Sequence, residues 1–334
     1  MSARKWALAA LALALGLLGL LLCLIFATHE AVAASLASLL GLAGVPLGGL
    51  CLGLSLALVS GSARDQLWPW AVASGRALPV LALMALPMLL GAGALYEWVA
   101  TEEGGFRGLW LAWPSFAVRG VLYLLLWMAL ARWVLPISVA RPAASGLGLI
   151  ALVLSISLAA IDWSMSLDSH FQSSLYGLIW FARLMLSGIA FSCLLALAAG
   201  ANRPGVLRGM LAAAVLAWLY LYFMQYLVIW YGNLPEEIRW YQQRGEGGWL
   251  WLTWLLGVGH VLVFVALLWP VSQRPRLLAG LAAATLMLGL AEGVWLSLPS
   301  QTDIQPLLQG FALVCAWLAG GGLLALALLP RRSP

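Results

Sequence analysis

A chain of 334 residues that is 64% hydrophobic and only 9% charged has too little polar surface for a soluble domain, in which roughly a quarter of the residues carry charge. The composition specifies a polytopic membrane protein. Its formal net charge of +5 reads as a topology signal, and a nucleic-acid role for the basic balance has no support.

Apolar runs of about 20 residues, the length that crosses a hydrocarbon core of about 30 Å, recur along the whole chain. In order they are Trp6 to Thr28, Leu39 to Val59, Ala77 to Trp98, Phe116 to Leu135, Gly146 to Trp163, Ser173 to Ala198, Leu207 to Trp230, Trp249 to Trp269, Leu277 to Leu296 and Leu307 to Leu329. Leu, Ala and Gly richness without period-two alternation predicts helices rather than a barrel, so the expected fold class is all-α with about ten transmembrane helices. With a cytoplasmic amino terminus, the inner loops and tails collect Arg4, Lys5, Arg64, Arg76, Arg132, Arg141, Arg203, Arg208, Arg274, Arg276, Arg331 and Arg332, twelve of the seventeen basic residues. Eleven of the twelve acids fall in the opposite half and only Asp65 lies among the inner loops. The positive-inside rule is then met with both termini inside. The basic start, the first apolar run and Ala31-Val32-Ala33 also imitate a cleavable leader, although the run exceeds the usual length of about 7 to 15 residues.

The inner loops are short and marked by Arg141-Pro142, Arg203-Pro204 and Arg274-Pro275, while the outer connections after the third and seventh helices are longer. Trp98, Trp110, Trp113, Trp240, Trp249 and Trp251 are expected as an interfacial belt. Gly41, Gly44, Gly48 and Gly49 are expected to allow close helix packing. Cys23, Cys51, Cys193 and Cys315 stand singly, without the paired spacing of zinc, iron-sulfur or covalent haem sites. With His29, His170 and His260 the only histidines, the expectation is a chain with no metal site and no redox centre of its own.

Two polar stretches interrupt the apolar runs: Asp162 to His170, and Gln225 to Glu237. Ionisable groups at membrane depth are costly unless paired or wetted, so these stretches are where chemistry is expected. Arg183 lies about 15 Å into the sixth helix at 1.5 Å per residue, and His260 at a comparable depth in the eighth. Asp162, Gln225 and Glu292 sit near the outer ends of their helices, in a shallower layer with Glu97 and Arg119. Such acids and bases suit a proton relay or a quinone headgroup pocket. The plainer alternatives are a buried ion pair between Arg183 and Asp162 that fixes helix register, and a His260 that only hydrogen-bonds between helices. In Asn233-Leu-Pro-Glu-Glu237 the Asn and Pro end a helix and leave Glu236 and Glu237 in the first outer turn, as a solvated cap for a partner or an acidic proton exit.

These residues resemble a known family, the polysulfide-reductase-like (NrfD-like) membrane subunits, and within it the second such subunit of alternative complex III, a quinol:cytochrome c oxidoreductase. Asp162 through Gly177 is similar to the family segment Asp-Trp-x-Met-Ser-Leu-Glu/Asp-Pro-His-Trp-x-Ser-Thr-x-Tyr-Gly, with Ser169 for Pro, Phe171 for Trp and Ser174 for Thr. Met224 through Glu237 resembles Ser-Gln-Phe/Tyr-Leu-x-Ile-Trp-x-Gly-Asn-Leu-Pro-Glu-Glu with the leading Ser changed. Weaker similarity covers Trp110 to Arg119 with Tyr123 and Trp127, Glu292 with Trp295 and Pro299, and His260. The chain departs from the family in lacking a His around Val59 to Arg64 and in placing Arg183 at a usually uncharged site.

The resemblance implies two four-helix bundles, 39–163 and 173–296, flanked by helices at 6–28 and 307–329. It implies a multi-pass subunit of the bacterial inner membrane, not catalytic alone. Its partners would be a second NrfD-like subunit, iron-sulfur and multihaem cytochrome c subunits and a terminal oxidase, with no nucleic acid. Asp162, Asp168, His170, Glu236, Glu237, His260 and Glu292 are the expected proton-handling groups. Arg119, Arg183, Tyr222 and Gln225 are expected to orient them or to hold a quinone, the only cofactor implied. The competing classes are a structural scaffold without a chemical role and a secondary transporter. Against the transporter stands the expectation that Gly and Pro breaks cluster at helix ends rather than near mid-membrane.

Overall fold

The computed structural model describes residues 3–100, 104–301 and 304–329; Arg331 and Arg332 lie outside them. Among the described residues there is helix and no strand. The helices in chain order are α1 (Ala3–Phe26), α2 (Thr28–Leu42), α3 (Pro46–Ala57), α4 (Ser62–Gly75), α5 (Leu78–Leu90), α6 (Gly105–Trp110) and α7 (Trp113–Ala129). They continue as α8 (Pro142–Trp163), α9 (Tyr176–Ala198), α10 (Pro204–Gly232), α11 (Pro235–Arg244), α12 (Gly247–Leu268), α13 (Pro275–Ser297) and α14 (Pro306–Leu328). Nine described spans are long and apolar enough to cross a membrane, and α4 with α5, bent by 44°, supplies a tenth. The chain is a multi-pass, all-α membrane protein.

Local chemistry sets the helix ends. Pro46, Pro142, Pro204, Pro235, Pro275 and Pro306 each open a helix, where a missing N–H costs nothing and the fixed φ is already helical. Asn233 ends α10 in the left-handed region at φ 49°, its N–H donating to the Ile229 carbonyl.

Two apolar runs are corrected. The second begins at Thr28, not Leu39, because Ala31 to Leu40 form an interior helix whose small side chains meet protein instead of lipid. The span Thr28–Ala57 is the most buried of the candidates, with α13 and α14 packed along α2 and with α4 and α9 along α3. The third run ends its helix at Leu90 and is preceded by α4, whose modest hydropathy hid it among the loops. The leader-like Ala31, Val32 and Ala33 are fully buried within α2.

The glycines of the second span pack as expected. At Gly48 and Gly188 the backbones of α3 and α9 touch, and a Cβ on either would collide with the other helix. The same device joins α1 to α14, where Gly16 lies on the Ala319 backbone and Gly322 on that of Leu13. Gly and Pro breaks are expected to cluster at helix ends, but Ala43, Gly44 and Val45 also interrupt the second span midway, between α2 and α3. Pro46 enforces the interruption, since it has no N–H for the Leu42 carbonyl. The tryptophan belt is corrected as well. Trp251 and Trp113 are exposed, but Trp98 and Trp240 are core residues at 5% and 1% exposure.

Candidate functional site

The polar residues gather at one end of the bundle, where α8 and α13 finish and α9 begins, in two buried acid centres and a vestibule. The first centre is built on α7 and α8. Asp162, fully buried one residue before the end of α8, receives Arg119 on both oxygens, Nε to Oδ2 at 2.8 Å and Nη2 to Oδ1 at 3.0 Å. Tyr123 donates to Oδ2 at 2.8 Å and the Trp110 indole N–H to Oδ1 at 3.0 Å. Arg119 gives its remaining Nη1 hydrogens to the Trp110 carbonyl and Ser115 Oγ, both at 2.7 Å, and lies 4.1 Å over the Trp110 ring. Four charge-assisted bonds, two of them from the stacked Arg119, fill the acceptor positions of this carboxylate. Beside it Tyr96 donates to the Trp163 carbonyl at 2.9 Å; burial, and after it the Asp162 charge, pushes its phenol well above the usual range.

The second centre is built on α9, α10, α12 and α13, and its bonding is sparser. Glu292 Oε1 accepts from the Trp218 indole at 3.0 Å and from the Tyr222 hydroxyl. Its Oε2 faces Arg183 Nε at 3.4 Å, an ion pair without a hydrogen bond. Arg183 Nη2 donates instead to the Leu40 carbonyl at 2.9 Å. That oxygen belongs to the last turn of α2, where the helix dipole favours a cation, so the end of α2 seats Arg183. Arg183 Nε and Nη1 and His260 Nε2 are buried without hydrogen-bond partners. His260 stacks on Trp218 with ring centroids 3.7 Å apart. Arg183 and His260, expected at greater depth, thus gather around Glu292 of the expected shallower layer, while Asp162 and Arg119 form a separate centre. The pairing of Arg183 with Asp162 is corrected too: Arg119 pairs with Asp162, and Arg183 with Glu292. Glu97 is exposed on a 3-10 turn and belongs to neither centre.

Beyond the helix ends, the segment 164–175 and the start of α11 enclose the vestibule. Three adjoining cavities of about 430, 420 and 470 Å³ share Gln172. Asp168 lines the first, Gln225 the second, and His170 and Glu236 the third, with Glu237 in both of the last two. His170 and Glu236 are exposed. Asp168 is buried, with Oδ1 accepting the His170 N–H at 3.0 Å. Ser173 donates to Gln225 Oε1 and Gln225 Nε2 to the Tyr241 hydroxyl, each at 3.2 Å. Burial pushes the Tyr241 phenol up to about 12, with the Gln225 bond working against it. Tyr241 also lines a groove of about 390 Å³ between α10 and α12, where Trp218, Tyr222, Thr253 and Trp295 form the wall next to Glu292. The quinone-orienting residues separate on this geometry: Arg119 is committed to Asp162 and Arg183 lies behind Glu292, while Gln225 faces the vestibule and Tyr222 the groove.

Several functional neighbours escaped the sequence reading. Arg244, fully buried, donates to the Trp295 and Leu296 carbonyls at the end of α13, at 3.0 and 3.1 Å, and lies 3.6 Å over the Trp240 ring. Burial pushes it down to about 9, opposed by Tyr176 and Asp168, which leaves it charged at neutral pH. Glu30, buried in the first turn of α2, accepts the Gln305 N–H at the start of α14. Trp110 and Tyr123 carried only the weaker family similarity as a signal, and Trp218, 74 residues from Glu292 in sequence, carried none. For Arg244, an arginine on a short helix outside the spans, there was none. No family model matches the chain, and no curated protein is similar to it.

Proposed function

We propose that the chain is an integral membrane subunit of a quinol-oxidising respiratory complex of the alternative complex III type. In that setting it would support neighbouring subunits and handle protons, without carrying a redox centre itself. Both termini would face the cytoplasm and the vestibule would open on the opposite side of the bacterial inner membrane. The observation that carries the proposal is the Glu292 centre. A carboxylate with hydroxyl, indole, imidazole and guanidinium neighbours lies one aromatic layer from a membrane-facing groove that also reaches Tyr241 and, through Gln225, the vestibule. The two segments that resemble the family, 162–177 and 224–237, supply the ends of this arrangement, which fits proton exchange with the outer side. A quinone fits less well, since Tyr222 alone of the four residues expected to hold its headgroup lines the groove.

Replacing Glu292 by Gln in the assembled complex tests the proposal. Quinol oxidation is expected to continue with fewer protons released per turnover. Unchanged stoichiometry would leave the scaffold role. The interruption of the second span beside Arg183 also favours a transporter reading, because broken helices near mid-membrane carry substrate sites in transporters. Solute uptake by the isolated chain in proteoliposomes would put that reading first.

A further inference from the structure

His260 is buried at 1% exposure, and its two ring nitrogens have different surroundings. Nδ1 lies 2.8 Å from the Leu256 carbonyl, an oxygen that can only accept, so the neutral ring must carry its hydrogen there and present a lone pair at Nε2. That Nε2 has no partner. The ring face rests on Trp218, near parallel at 16°, and the same indole donates its N–H to Glu292. One side chain therefore touches both the base and the acid. Around Glu292 itself, Trp218 and Tyr222 donate from α10 and Arg183 brings a positive charge from α9. Every one of these neighbours favours the anion.

We infer that this centre stores its exchangeable proton on Nε2 of His260, with Glu292 held as a carboxylate and Trp218 as the stacking partner of the imidazolium. The inference deepens the proton-handling role proposed above and depends on it for its physiological use. The step is a protonation without electron transfer: the Nε2 lone pair takes a proton from a hydronium ion of the aqueous phase, an O–H bond of that ion breaks as the N–H bond forms, water is left, and the ring passes from neutral to singly positive. The aromatic face of Trp218 attracts that charge. Glu292 on α13 attracts it too, Arg183 on α9 opposes it, and the Tyr222 hydroxyl on α10 is engaged with Glu292. Because the Nδ1 hydrogen is held by a carbonyl, a proton must enter and leave through the same nitrogen. His260 is thus a store rather than a link in a wire.

Infrared difference spectra of the full chain in lipid nanodiscs, between about pH 5 and pH 8 where histidines change charge, test the assignment. In a background with His29→Gln and His170→Gln, a protonation band of imidazole is expected that is lost in His260→Gln and kept in Glu292→Gln, together with no carboxylic C=O band that depends on Glu292. Trp218→Phe is expected to move the midpoint of the imidazole signal. A carboxylic C=O band removed by Glu292→Gln, or an imidazole signal unchanged in His260→Gln, overturns the inference. Glu292→Gln and Trp218→Phe keep the test decidable where His260→Gln fails to fold. The proton release of the assembled complex is a separate matter: His260→Gln that leaves it unaltered removes the physiological role while the stored proton in the isolated chain still stands.

Discussion

Asp162 and Glu292 occupy matching places, each near the end of a membrane helix with an arginine, a tyrosine and a tryptophan against it, yet they are held differently. Asp162 has a bidentate arginine at 2.8 and 3.0 Å and both remaining lone-pair positions filled. Glu292 has its arginine at 3.4 Å, donors on one oxygen only, and an unpartnered imidazole nitrogen close by. A carboxylate in low dielectric with every valence satisfied fixes register and resists change. One whose pairing is incomplete leaves charge free to be redistributed, which is what proton chemistry needs. On the proposed reading the first centre is structural and the second handles the proton.

The largest expected effect comes from breaking the first pair. Arg119→Met leaves Asp162 buried without its counter-ion and should cost about 3 to 5 kcal/mol, read as a fall in the thermal midpoint of the purified protein. A double-mutant cycle with Asp162→Asn should return a coupling near the top of the range for neighbours. The same cycle on Arg183→Met and Glu292→Gln should return about 0.5 to 2 kcal/mol, because the 3.4 Å contact carries less. Equal couplings would erase the distinction between the centres.

A smaller effect is expected at Arg244, which belongs to the cover of the second centre. Arg244→Met keeps the stem packed on Trp240 but strips donors from the Trp295 and Leu296 carbonyls. Leaving buried acceptors unsatisfied should cost about 1 to 3 kcal/mol, and the segment 233–246 should become open to protease before the rest of the chain unfolds. Proteolysis at the wild-type rate would mean that α11 is held by its aromatic packing alone.

The fold was legible in the sequence where lipid does the selecting. Outer helices such as α12 and α14 must be apolar all round, so hydropathy finds them within a few residues. It failed at α2, because a helix shielded by other helices is free of that demand and is built from small residues for close approach, and at α4, where Arg64, Asp65 and Gln66 lower the hydropathy. The acid centres were half legible. Buried Asp162, Glu292, His260 and Arg183 announce themselves as charges in hydrocarbon, but which cation meets which acid depends on helix order in space. Nothing in the spacing could reveal that the Leu40 carbonyl, in the last turn of α2, would hold Arg183 within reach of Glu292.

The smallest expected effect on stability lies in the vestibule, and it sharpens the contrast between buried and solvated acids. His170 and Glu236 are exposed and face a cavity of about 470 Å³. Exposed side chains in high dielectric depend little on their neighbours, so His170→Ala and Glu236→Gln should each move stability by no more than about 0.5 kcal/mol. Thermal unfolding at low and high salt checks this, since an exposed pair would also weaken with ionic strength. A loss comparable to that of Arg119→Met would mean that the segment 164–175 is pinned through these side chains. The vestibule would then be a clasp across the two halves rather than an open mouth to the second centre.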